Sequence, residues 1–185
     1  MNQAEETYIE VDLTFADRCK AQPSLIQPMI DHMLNAALSV DDRYNAASNL
    51  TWSFIGPRMW HERISRAFCA VLAKPTEAPA LRGQAGEGLA EMYDCRFVQN
   101  YGRTRQYRRA GELLIAMLSD PSAEVRFWSC FALGKMRYHP ALRALHALAN
   151  KDMTEHGRWW TVGEEAADAI DWMKGRSTPD RELRR

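Results

Sequence analysis

From Pro23 onward the apolar positions recur with the period of an α-helix. Leu25, Ile26, Met29, Ile30, Met33, Leu34, Ala37 and Leu38 stand at i, i+3, i+4 and i+7 spacings, which gathers them on one helical face. Segments 41–52, 60–73, 80–93, 106–118, 121–137, 140–150 and 162–174 repeat the pattern. The reading is an all-α chain of eight helices and no strand. Residues 1–22 form an N-terminal cap or extension, residues 23–174 the helical domain, and residues 175–185 a short basic tail. In the N-terminal part Glu5, Glu6, Glu10, Asp12 and Asp17 face Arg18 and Lys20 alone.

The helices are copies of one another. Arg126 precedes Leu133 by seven positions, and the same offset separates Arg43 from Leu50, Arg82 from Leu89 and Gly163 from Ile170, where the arginine is lost. The intervening helices align too: Ile30, Leu34 and Ala37 fall on Ile64, Phe68 and Val71, then on Ala110, Leu114 and Met117, then on Ala141, Leu145 and Leu148. Repeats of about 30 to 45 residues are the mark of a stacked architecture. The fullest copy, 120–152, reads as two helices folded back on each other. Its first helix is apolar on nearly every side, with Val125, Trp128, Ala132, Leu133 and Met136 on one face and Phe127, Cys130 and Phe131 on much of the other. It is therefore expected inside the stack. Asp120 and Pro121 are its expected start, and His139 and Pro140 its expected stop.

The set Asp120, Val125, Arg126, Ala132, Leu133 and Gly134 resembles the HEAT repeat, most nearly the short type of the phycobilisome lyases. The resemblance covers about residues 23–174 and implies an α-α superhelix, a solenoid of about four helix pairs. It further implies that the second helix of each pair lines a concave surface and that the aspartate and arginine join neighbouring repeats. Ala37 and Thr76 stand six residues before Arg43 and Arg82, which leaves that ladder without its acid in two copies.

On that architecture the exposed row of the second helices is His32, Arg66, Glu112 and Arg143, beside a row of Asn35, Cys69, Ile115 and His146. Glu62, Arg63, Arg108, Arg109 and His139 extend the patch. Its mixed charge suits a protein surface. The connection 94–105, with Tyr101, Arg103 and Arg105, adds arginines among aromatic residues that could stack on bases or grip a carboxylate-rich partner. Trp60 and the pair Trp159 and Trp160, near helix ends, are interface candidates, whereas Trp52 and Trp128 belong with the core.

Composition narrows the classes. Of 185 residues 46% are hydrophobic and 26% charged, the balance of one globular domain. Lys and Arg total 24, as do Asp and Glu, so net charge favours another protein over nucleic acid, which stays the second class of partner. The start is acidic and no segment approaches the ~18 apolar residues of a membrane span, so a cytoplasmic protein is expected. Four scattered cysteines suggest buried thiols. No nucleophile, phosphate-loop or metal motif is present, and no cofactor is implied. The acids Glu164, Asp168 and Asp171 read as a solvated end cap. The expectation is a non-catalytic protein-binding module, an adaptor or an inhibitor or immunity protein. The alternative, implied by family resemblance alone, is a HEAT-like alkylated-base DNA glycosylase or a bilin lyase.

Overall fold

The computed structural model describes residues 18–19, 22–52, 58–94, 104–157 and 160–176. Among these residues eight α-helices form: α1 (Ile26–Leu34), α2 (Val40–Trp52), α3 (Arg58–Leu72), α4 (Pro79–Met92), α5 (Arg105–Met117), α6 (Ala123–Met136), α7 (Leu142–Ala149) and α8 (Val162–Met173). Helices α2, α4, α6 and α8 pack in succession as one layer. Helices α1, α3, α5 and α7 form the other, with α1 against α3 and α3 against α5. The result is a solenoid-like stack of helices, all-α except for one small hairpin. Most of the expected cap, residues 1–22, and of the tail lies outside the described residues, although Cys19 is buried against the core.

The ends of the helices follow local chemistry. Thr104 caps α5 by accepting the Tyr107 N–H at 3.0 Å, and Thr161 and Glu164 close a reciprocal capping box on α8. Such caps satisfy backbone donors that the first turn leaves open. Helix α6 departs from expectation at both ends. It begins at Ala123 with Ser122 at the cap position, because Asp120 is needed elsewhere: one carboxylate oxygen accepts the Ser122 N–H at 2.9 Å and the other takes Arg82. Its stop is not His139 and Pro140, which open a 3-10 turn, but Arg137 in the left-handed conformation at φ 51°. There the Tyr138 N–H bonds the Leu133 carbonyl at 3.0 Å and the Arg137 N–H bonds that of Gly134 at 3.0 Å, a Schellman ending made without glycine.

That ending also corrects the pairing expected for 120–152. After the connection 137–141, α7 packs on α8, and the other pairs are α1 with α2, α3 with α4 and α5 with α6. Tyr138 explains the redirection, since its ring fills the space over Gly111 of α5, where an added Cβ would meet it at 2.5 Å.

The interior is built from α4 and α6. Val125, Phe127, Cys130, Ala132, Leu133 and Met136 of α6 are all buried, and on α4 so are Leu81, Ala85, Leu89, Ala90 and Met92. Trp128 packs edge-on to Phe127 and Phe131 and lies over Gly83, as a core residue should. Trp52 does not. It is 36% exposed at the end of α2, although Leu50 and Thr51 of the same turn are buried.

The arginine ladder is complete in three copies. Arg43 meets Glu77 at 2.7 Å, Arg82 meets Asp120 at 2.5 Å and Arg126 meets Asp152 at 2.7 Å. Each arginine takes its acid from the turn of the next copy, so the absence of acids at Ala37 and Thr76 is no gap. The same side chains also tie back: Arg43 Nε donates to the Met33 carbonyl and Arg82 Nε to that of Leu72, both at the C-terminal ends of helices with open acceptors. In the last copy Gly163 replaces the arginine, and its N–H reaches the Asp152 carbonyl at 2.8 Å.

Two further expectations change. A two-stranded antiparallel hairpin, β1 (Glu155–His156) and β2 (Trp160–Thr161), precedes α8. The acids of α8 do not form a solvated stripe: Glu164 is exposed, but Asp168 and its neighbour Glu165 are 0% exposed. Helix α8 is held between α6 and α7, which turns those positions inward.

Candidate protein-binding face

Helices α3 and α5 carry most of the expected residues on solvent-facing stripes. On α3 these are Arg63, Arg66 and Ala70, and on α5 Arg105, Arg108, Arg109, Glu112 and Ala116. Spacings of three and four keep each set on one face. Arg143, His146 and Ala147 are exposed on α7. Trp60 is half-buried at the start of the α3 stripe, with the Arg63 guanidinium 4.9 Å from its ring centroid. Arg63 also donates to Gln27 of α1 at 3.1 Å, and Gln27 donates to Asp31 at 2.9 Å. Tyr101, Arg103 and Trp159 lie outside the described residues.

His32 is exposed but differently placed. It lines an open groove of about 380 Å³ between α1 and α2, with Leu25, Pro28 and Met29 on one side and Asp42, Asn45 and Asn49 on the other. In the neighbouring row Asn35 is exposed, Ile115 half-buried and Cys69 buried. Burial pushes the Cys69 thiol up to about 11 despite the nearby Arg109 charge. Among the described residues Cys19 and Cys130 are buried as well, and no cysteine is in a disulfide.

Beneath the face a chain of rings fixes the backbones. His61, Tyr93, Tyr107 and Tyr138 meet edge to face at centroid separations of 5.1, 5.5 and 5.5 Å, a favoured aromatic geometry. Tyr93 donates to Ser65 at 2.8 Å, Gln106 to Ser65 at 3.2 Å and Tyr107 to the Met136 carbonyl at 3.0 Å. These bonds join α3, α5 and the end of α6. Burial raises the Tyr138 hydroxyl, helped by Glu112 and opposed by Arg108, so those two charges flank its ring.

The face is more basic than its rows implied. Arg63, Arg66, Arg105, Arg108, Arg109 and Arg143 stand exposed against Asp31 and Glu112. Among the described residues Arg66, Arg105, Arg108, Arg109 and Arg143 enter no ion pair. Of the other described acids, Glu62 is half-buried on α3 itself, whereas Glu87, Glu91, Glu124, Glu165 and Asp168 lie on α4, α6 and α8, and Glu77, Asp120 and Asp152 in the turns. Among the described residues the exposed charge of this face is thus mainly basic. The arrangement opposes helix stability, since α5 has no acid in its first turn but Arg105 and Arg108 there and Arg109 just beyond. Like charges at these spacings each cost about a few tenths of a kcal/mol, and cations at a helix N-terminus oppose its dipole.

A second feature went unread in the sequence. Four residues beyond His32, Arg66, Glu112 and Arg143 stand Ala36, Ala70, Ala116 and Ala147, all exposed. The register already in hand carries this alanine row, whose small side chains leave the backbone open to close approach. Among the described residues no three of His, Cys, Asp and Glu come together as metal ligands, and no helix is long and apolar enough to cross a membrane. No protein-family model and no curated protein matches the sequence.

Proposed function

We propose that the chain is a non-catalytic, HEAT-like protein-binding module, an adaptor or an inhibitor of the immunity-protein kind, which takes its partner on the face of α3 and α5. The observation that carries this reading is the pairing of an exposed arginine row with an exposed alanine row on adjacent helices. Small residues beside a charged rim let a partner's helix or strand lie close while the rim sets its orientation. The ladder and the ring chain hold both helices in place, so little freedom is lost on binding. Trp60 and Arg63, stacked at the edge, have the chemistry of binding anchors.

Bulk on the alanine row tests the reading without touching charge. Ala70→Trp and Ala116→Trp are each expected to weaken binding of a partner captured from the native cell about tenfold or more, with helical circular dichroism unchanged. Asp41→Trp, exposed on α2, should leave binding as it was. A partner held equally well by both alanine variants would lie elsewhere on the molecule, and the reading would fall.

A further inference from the structure

The charge of the face specifies its occupant. Six arginines and no lysine are exposed on α3, α5 and α7, and a guanidinium fork pairs two-pronged with a carboxylate. We propose that the face binds an acidic segment of a protein partner, its carboxylates held by Arg66, Arg108 and Arg109 and its backbone laid along Ala70 and Ala116. This rests on the reading of α3 and α5 as the binding face and adds the chemistry of what binds there.

Three observations carry it. The arginines of α3 and α5 belong to adjacent helices, and Arg109 lies near enough to Cys69 of α3 for its charge to act on that thiol. One segment can therefore reach both sets. Next, the start of α5 gathers Arg105, Arg108 and Arg109 with no acid in its first turn and only Glu112 one turn beyond, a crowding that is unfavourable in the free protein and is relieved when carboxylates arrive. Finally, the exposed Ala70 and Ala116 let a polypeptide backbone lie close and offer no aromatic platform on which bases could stack.

Fluorescence anisotropy at low salt, with labelled poly-L-glutamate and a single-stranded oligonucleotide of equal charge, tests the proposal. The intact chain should bind poly-L-glutamate more tightly than the oligonucleotide, and binding should weaken as salt rises. Arg108→Gln combined with Arg109→Gln should lower that affinity about tenfold and leave the melting temperature equal or higher, a divergence that loss of structure cannot produce. Should the double variant be less stable, Arg66→Gln carries the same binding prediction from α3. Tighter binding of the oligonucleotide would overturn the proposal in favour of nucleic acid. Failure of poly-L-glutamate to bind, or equal binding by the variants, would also overturn it, while the effect of Ala70→Trp on the captured partner would still decide whether the face itself is the site.

Discussion

Replacing Arg82 with methionine lowers the free energy of unfolding by about 3–5 kcal/mol, the usual consequence of breaking a buried ion pair by removing one partner. The Arg82 and Asp120 side chains are 4% and 6% exposed, so solvent does little to screen the charge left behind on Asp120. The substitution also strips the Leu72 carbonyl at the end of α3 of its donor. Chemical denaturation measures the loss, and Asp120→Asn added to the methionine variant should recover part of it, because the orphaned charge is then gone. The next rung gives the ladder an acid limit. The hydrogen bond from Arg43 is the largest cause that holds Glu77 at about 2, below its ordinary 4.5, against the opposing effect of burial. A carboxylate whose value is lowered by folding stabilises the folded state fully above the ordinary value, and that contribution disappears as pH falls through the lowered one. Stability should therefore decline between about pH 4.5 and pH 2, and Glu77→Gln should flatten the decline. An unchanged acid profile in that variant, or an Arg82→Met protein of wild-type stability, would mean that the rungs contribute nothing.

Gly134→Ala is expected to destabilise the fold by about 1–3 kcal/mol, the range for overpacking, and Gly134→Leu by more. In an open helix the alanine substitution would instead gain up to about 1 kcal/mol. The reversal comes from the approach of α6 to α8: a Cβ on Gly134 would lie 2.7 Å from the Ala169 Cα, 2.7 Å from the Trp172 ring and 2.9 Å from the Ala169 Cβ. A backbone atom cannot yield as a flexible side-chain end does, so the two helices must part. Their separation would also disturb Trp172, which packs edge-on to Phe131. Thermal unfolding followed by circular dichroism reads the sign directly, and a stabilised alanine variant would show that α6 and α8 do not meet this closely.

The helices were legible because burial imposes its period on the chain. Ile26, Ile30 and Met33 lie inside α1, and Ala110 and Leu114 inside α5, as their spacing requires. The exposed stripes followed from the same register, which is why Arg66, Glu112 and Arg143 were found. What was missed depends on contacts that spacing does not encode. The resemblance implies a ladder between neighbouring repeats, but the positions six residues before Arg43 and Arg82 hold Ala37 and Thr76. The bonds instead run forward to the next turn, from Arg43 to Glu77 and from Arg82 to Asp120. The hairpin around Gly157 has strands of two residues, too short for an alternation to register. The inward turn of Asp168 depends on α8 lying between α6 and α7. For the site, the basic excess of the face stayed hidden behind a net charge of zero, since it emerges only when the described charges are assigned to their helices and their exposure.

Whether α3 and α5 present one binding face to a protein partner is read most directly by hydrogen exchange of the chain alone and in complex with the captured partner, because protection reports local opening segment by segment. Slower exchange on binding is expected in segments 60–72 and 105–117, with α2 and α8 unchanged. Protection confined to α2, α4, α6 and α8, with α3 and α5 exchanging as in the free chain, would contradict it.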